Sequence, residues 1–363
     1  MRRRGNGTRR LRLAAGTVVA LAVTAAPGAA VADPSPAAAA GTPVCEVRGG
    51  RLSEISGMAV TDSGYVMIND GADDEARRRI FFLDERCSVV RSVSYPSRPR
   101  DTEDLAVGAD GTIWVADTGD NDRSRQTIGV WKLPPGADRP VLHRMAYPDG
   151  PHDVEALLVT GDDRPLVVTK HSANLYAPSA GLRPGTTTPL VKVGRVRLPA
   201  STTSNPFGAL GRAVVTGAAT APDGRRVVLR TYADAYEFDV PDGDVVAALT
   251  GGTPRVIGLP DEPQGESVAY SRDGRSLLTV SETANQPPGT RPTILRYPLP
   301  AAAASPTPPA TPTTPASTAR AARDETGRSG GVGTYLVAAG ALGLALVAVA
   351  LVGWTRTRRA RAR

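Results

Sequence analysis

The chain has little of what usually carries chemistry by motif: two cysteines and three histidines among 363 residues. Two cysteines are too few for a structural zinc site. No phosphate-cradling P-loop, dinucleotide fingerprint or zincin motif occurs. One segment, Gly327-Arg328-Ser329-Gly330-Gly331, matches a nucleophile elbow on paper, but it lies in a Pro/Ala/Thr-rich stretch without the strand-turn-helix that an elbow needs. Basic charge is also missing where a nucleic acid would need it. The net charge is +7, yet six arginines fall in residues 1–12 and five in residues 356–363, so the chain between them carries 7 − 11 = −4. A nucleic-acid reading thereby loses its electrostatic support.

The two ends read as targeting segments. Residues 1–32 have an arginine-rich start, an apolar stretch from Leu13 to about Ala26 and the small-residue site Ala30-Val31-Ala32, the three parts of a secretory signal. Tyr335–Trp354 contains no charge over twenty residues, enough to cross about 30 Å of hydrocarbon as a helix. The arginines behind it favour a cytoplasmic tail. Residues 301–333 are rich in Pro, Ala, Thr and Ser and read as an extended stalk, with residues 33–42 a shorter version. The expected organisation is signal peptide (1–32), a disordered segment (33–42), an ectodomain (43–300), stalk (301–333), transmembrane helix (334–355) and cytoplasmic tail (356–363). The expected location is the cell membrane, as a single-pass protein with its ectodomain outside.

Within the ectodomain one phrase recurs five times: a small or acidic residue, an apolar run, an Asp/Gly turn and a second apolar run. Copies start at Ser56, Glu103, Glu155, Thr216 and Glu266, separated by 47, 52, 61 and 50 residues. The turn glycine lies eight residues after the start in four copies (Gly64, Gly111, Gly224, Gly274), and Asp163 replaces it in the third. Spacings near 50 suit four-stranded propeller blades. The expectation is an all-β, five-bladed propeller, with a sixth blade left open by the 61-residue interval and almost no helix. A fourth strand is legible in four copies, but the fifth runs into the stalk. Val44–Val47, upstream of the first copy, is the economical source of the missing strand, because an open edge invites aggregation. Cys45 and Cys87 would then form a disulfide that pins this closure, in keeping with an oxidising compartment.

Acids gather at the starts of the inner strands (Asp101, Glu103, Asp104, Asp153, Glu155, Glu266) and after the second strands (Asn69, Asp70, Asp73, Asp74; Asp117, Asp120, Asn121, Asp122; Glu282). Both places open on one face of a propeller. Asp- and Asn-rich runs such as INDGADD and ADTGDND are individually ordinary turn chemistry. A glutamate at one repeat phase in three copies is not required by a strand start. Glu103, Glu155, Glu266, Asp117, Asp120 and Asp70 are therefore the candidate ligands for a hard cation, with Ca2+ preferred for its loose oxygen coordination. Lys170, His171 and Arg230 reach the same face and are candidates for binding an anionic ligand.

The phrases EDLAVGADGTIWVADTGDN, DVEALLV and ESVAYSRDGRSLLTV resemble exported bacterial β-propellers of the phytase-like or esterase-like-phytase group, here in a membrane-anchored actinobacterial form. The resemblance covers about residues 44–300. It implies calcium at an acidic top face, with Glu103, Glu155, Glu266, Asp117 and Asp120 as the metal-binding set. The shortage of basic residues at that mouth departs from a phytate hydrolase. Two readings follow: a surface propeller that binds an extracellular ligand or protein, or a metal-dependent phosphoesterase.

Overall fold

The computed structural model describes residues 38–300. The signal peptide, stalk, transmembrane helix and arginine tail expected from the sequence lie outside the described residues, as do residues 33–37. Among the described residues no helix is long and apolar enough to cross a membrane.

The chain begins with β1 (Thr42–Glu46) and then builds sheets in sequence order. The first group is β2 (Ile55–Thr61), β3 (Gly64–Asn69), β4 (Arg79–Leu83) and β5 (Val89–Ser94). The second is β6 (Thr102–Val107), β7 (Ile113–Asp117), β8 (Ile128–Leu133) and β9 (Val141–Ala146). The third is β10 (Val154–Val159), β11 (Pro165–Thr169), β12 (Asn174–Pro178) and β13 (Thr187–Arg195). The fourth is β14 (Gly217–Thr220), β15 (Arg226–Arg230), β16 (Asp234–Asp239) and β17 (Arg255–Gly258). The last stretch supplies only three strands, β18 (Gln264–Tyr270), β19 (Ser276–Glu282) and β20 (Thr293–Pro298).

β1 completes that last group. It pairs antiparallel with β20, Thr42 opposite Arg296 and Glu46 opposite Thr293, giving the order β1-β20-β19-β18. The first strand is thereby stitched to the last. Cys45 and Cys87 form a disulfide with Cα atoms 6.1 Å apart, tying β1 to the turn between β4 and β5. Next to it, the Arg48 amide donates to the Cys87 carbonyl at 2.7 Å. The innermost strands β2, β6, β10, β14 and β18 each touch the next, and β18 touches β2. Meandering four-stranded groups, inner strands in a closed ring and a first strand completing the last group make a β-propeller. The second and third groups also join at their outer edges, where β13 runs parallel to β9.

The core explains why the strands read as unbroken apolar runs. Each seam between neighbouring groups holds its own apolar cluster, so each sheet is covered on both faces. Along β3, Val66 and Ile68 pack toward the second group, and Met67 packs with Phe81 toward the last group. Burying a side chain such as Phe81 contributes roughly 1.5–3 kcal/mol. The repeat turns share one backbone requirement. Gly64, Gly111, Gly224 and Gly274 all have positive φ, and Asp163 adopts φ 59° in the third copy, a conformation that Asp tolerates better than most residues.

Two short helices depart from the expectation of almost none. α1 (Gly208–Gly211) lies in the long connection to β14, and α2 (Val245–Gly251) lies between β16 and β17. Asp244 caps α2 by accepting the Ala247 amide at 2.9 Å, and Val245, Ala248 and Leu249 bury its inner face. The 61-residue interval after Glu155 is filled by the remaining strands of the third group, the nine-residue β13 and the connection carrying α1, with no further strand.

Candidate metal centre

The inner strands carry a shared irregularity that aims the repeated acids. The β2/β3 register shifts between Ile55 and Gly57, and β6/β7 between Thr102 and Asp104. It shifts likewise between Val154 and Ala156 and between Gly265 and Ser267. The extra residue at these β-bulges is Ser56, Glu103, Glu155 and Glu266, which is the repeat start in four of the five copies. A bulge re-aims one side chain without ending the strand. β14 has no such shift, and its repeat start, Thr216, precedes the strand.

Glu103, Glu155 and Glu266 are buried and face one another across the channel mouth. Asp101 and Asp153 stand two residues before the first two of them, Asp70 enters at the exit of β3, and Glu282 ends β19. Two sets of three carboxylates place ligand oxygens within 4.8 Å of one another: Asp70, Asp101 and Glu103, and Glu103, Asp153 and Glu155. Glu103 belongs to both. The backbone leaves room for them only because two positions are glycine. A Cβ on Gly119 would lie 1.9 Å from Glu103 Oε1, and one on Gly71 would lie 2.3 Å from Asp101 Oδ1.

The charge in this mouth is poorly compensated. Lys170 is the one ammonium inside the group, hydrogen-bonded to Glu155. Burial opposes its charge, but Glu155, Glu103 and Asp153 outweigh burial and hold its pKa above the usual lysine value. Burial, then Glu155 and Asp70, push Glu103 well above the carboxylate range. Burial and Glu266 do the same to Glu155, against the pull of Lys170. Burial and the neighbouring Asp70 raise Asp101 to about 7. Glu282, buried beside Glu266, rises to about 11. Gln264 donates to Glu282 Oε2 at 2.7 Å and to Glu266 Oε1 at 3.3 Å, and Tyr232 donates to Glu266 Oε1 at 3.1 Å.

Two buried oxygens here have no partner. Asp153 Oδ1 accepts the Asp120 amide at 2.9 Å, but its Oδ2 is buried and unbonded, and so is Glu282 Oε1. An unbonded buried carboxylate oxygen costs about 1–3 kcal/mol or more. A divalent cation held by Glu103, Asp153 and Glu155 would offset the repulsion among these three carboxylates and could give Asp153 a partner. The donor set, all carboxylate, fits a hard cation.

Not every residue singled out in the sequence joins this group. Asp117 is taken up by structure: Arg125 binds its Oδ1 at 2.9 Å, the Arg100 and Asp101 amides donate to that oxygen at 3.1 Å each, and Trp131 reaches its Oδ2 at 3.3 Å. Asp120 closes its own loop, accepting the Ser124 and Arg125 amides at 2.9 Å each. Arg230 is fully buried, ion-paired with Glu262 at 3.0 Å and bonded to the Ser267 carbonyl at 2.7 Å, so it does not reach the mouth. His171 is exposed beside the mouth. Asp101, Asp153, Gln264 and Glu282 complete the site, and Tyr232 joins it. The D-x-E spacing shared by Asp101/Glu103 and Asp153/Glu155, continued as Gln264/Glu266, is the signal that marks the first three.

No protein-family description matches this sequence, and no curated protein matches it significantly. Many solved structures share weak structural similarity. A luciferin-regenerating enzyme is 12% identical at a TM-score of 0.39, over 67% of this chain and 76% of that one. A gluconolactonase from Xanthomonas campestris is 14% identical at 0.39, over 72% and 98%. The WD40 repeats of RRP9 are 10% identical at 0.40, over 72% and 100%. Similarity this low says nothing about chemistry. The propeller assignment rests on the strand order and ring closure above.

Proposed function

We propose that this chain is an exported, membrane-tethered, five-bladed propeller that holds a divalent cation at its acidic mouth and binds an extracellular ligand or partner through it. Calcium is the proposed ion, because it accepts irregular shells of six to eight oxygens. The observation that carries the reading is the buried trio Glu103, Asp153 and Glu155, whose carboxylates bring ligand oxygens within 4.8 Å of one another while Asp153 Oδ2 is buried and unbonded. The five four-stranded groups support the blade number. The tether rests on the uncharged stretch Tyr335–Trp354 and the arginines after it.

Calorimetric titration of the chelator-treated full chain with calcium chloride, and separately with magnesium chloride, tests the reading. Saturable calcium binding that is lost in Glu103→Gln supports it, and absence of binding by either ion ends it. The same preparation, loaded with calcium, is offered p-nitrophenyl phosphate and phytate. Hydrolysis that disappears with the cation would turn the binder into a metal-dependent phosphoesterase.

A further inference from the structure

Beside the carboxylate mouth lies a cavity of about 560 Å³ with the opposite charge. It forms between the end of β13 and the connection carrying α1, and its lining includes His171, Arg195, Arg197 and Arg212 but no Asp or Glu. Two of these guanidinium groups are held by carbonyls and not by acids: Arg195 donates to Ser172 O at 3.0 Å and Arg212 to Thr203 O at 3.3 Å. None of the three arginines enters an ion pair among the described residues. Arg255, by contrast, meets both Asp239 and Glu237.

The cavity opens on the same face as the acids. Arg195 ends β13 at the edge from which β12 departs, and His171 directly follows Lys170, whose ammonium bonds Glu155. The Val215 amide donates to the Lys170 carbonyl at 2.9 Å, which fixes the connection against the same turn. Three guanidinium groups around one cavity repel one another, and an oxyanion relieves that repulsion while its oxygens match the planar donor fork of arginine.

We infer that this groove is a second binding site, for an oxyanion group (phosphate or carboxylate) of a soluble ligand, and that it works without the cation. It extends beyond the cation reading and stands independently of it. Calorimetry on the full chain, stripped of cations and dialysed free of chelator, uses sodium pyrophosphate in one arm and citrate in the other. Saturable binding of either is the expected result: pyrophosphate alone assigns a phosphoryl group, citrate alone a carboxylate. Arg197→Ala combined with Arg212→Ala weakens it about a hundredfold, roughly tenfold for each lost bond to a charged group. Phenylglyoxal modification read by mass spectrometry gives an independent check on the unaltered chain, with the bound probe protecting Arg195, Arg197 and Arg212. Binding unchanged in the folded double variant, unprotected arginines, or no saturable heat with either probe overturns the inference.

Discussion

Asp104 Oδ2 accepts the amide N–H of Ala218 at 3.1 Å, although 114 residues separate them. The same oxygen accepts the Leu157 amide at 2.8 Å, and Oδ1 accepts the Leu105 amide at 2.8 Å. One buried carboxylate thus joins β6, β10 and β14 beneath the acidic mouth. Hydroxyls add shorter links around the ring, Ser56 to Thr102 O at 2.9 Å, Thr118 to Val154 O at 2.9 Å and Thr216 to Gly265 O at 3.0 Å. Asp104→Ala strands three buried amides at about 1–3 kcal/mol each, so urea denaturation should show a loss of at least about 3 kcal/mol. A variant as stable as the parent would mean that the ring closes without this link.

The raised carboxyls set the sign of the pH dependence. Asp101 at about 7 and Glu282 at about 11 bind protons in the folded chain that the unfolded chain releases near pH 4. The folded state therefore holds more protons, and stability falls as pH rises through the folded values. In cation-free protein the melting temperature should decline from pH 5 to pH 8, and saturating calcium should flatten that decline by replacing the protons. A cation-free melting temperature that rises over this range contradicts the charge distribution described here.

Glu103→Gln separates repulsion from ligation. It keeps the side-chain volume and removes a carboxyl whose ionisation burial and then Glu155, Asp70, Asp101 and Glu266 all oppose. At pH 8 without cation, the variant should be more stable than the parent, because it lacks a carboxyl whose ionisation burial and its neighbours oppose. With calcium the order should reverse, because the parent gains ligand stabilisation that the variant lacks. Thermal melts with and without calcium read both signs.

Opening the Cys45–Cys87 bridge should loosen the ring at its seam. The cysteines are 42 residues apart, and chain entropy alone makes the bridge worth roughly 3–4 kcal/mol. Cys45→Ser with Cys87→Ser should lower the free energy of unfolding by that amount in urea denaturation, and hydrogen exchange should speed first in β1 and β20. Uniform exchange across all groups would place the weak seam elsewhere.

Two turn glycines should respond differently to one methyl group. At Gly64 a Cβ would lie 2.1 Å from the Leu83 carbonyl oxygen, whereas at Gly224 nothing lies within 4 Å. Gly224→Ala carries only the left-handed backbone cost, about 1 kcal/mol. Gly64→Ala adds a backbone clash and should cost clearly more by the same denaturation measurement. Equal losses would show that the β3/β4 hairpin yields easily.

The repeat period, the turn residues and the apolar runs all act on near neighbours, so the primary structure alone specified the four-stranded groups and their turns, and the missing strand of the last group pointed to the segment before the first. It also marked Glu103, Glu155 and Glu266, because each copy repeats the same phase. What those acids meet was decided only when the ring closed. The bulges turn them inward, Asp153 arrives from the next group, Arg125 removes Asp117 from the set, and Glu262 draws Arg230 into the interior. Arg195, Arg197 and Arg212 line a single cavity only because one connection folds back against the end of β13. Strand patterns encode pairing along the chain; electrostatic neighbours across a channel depend on which distant strands the closed ring brings side by side.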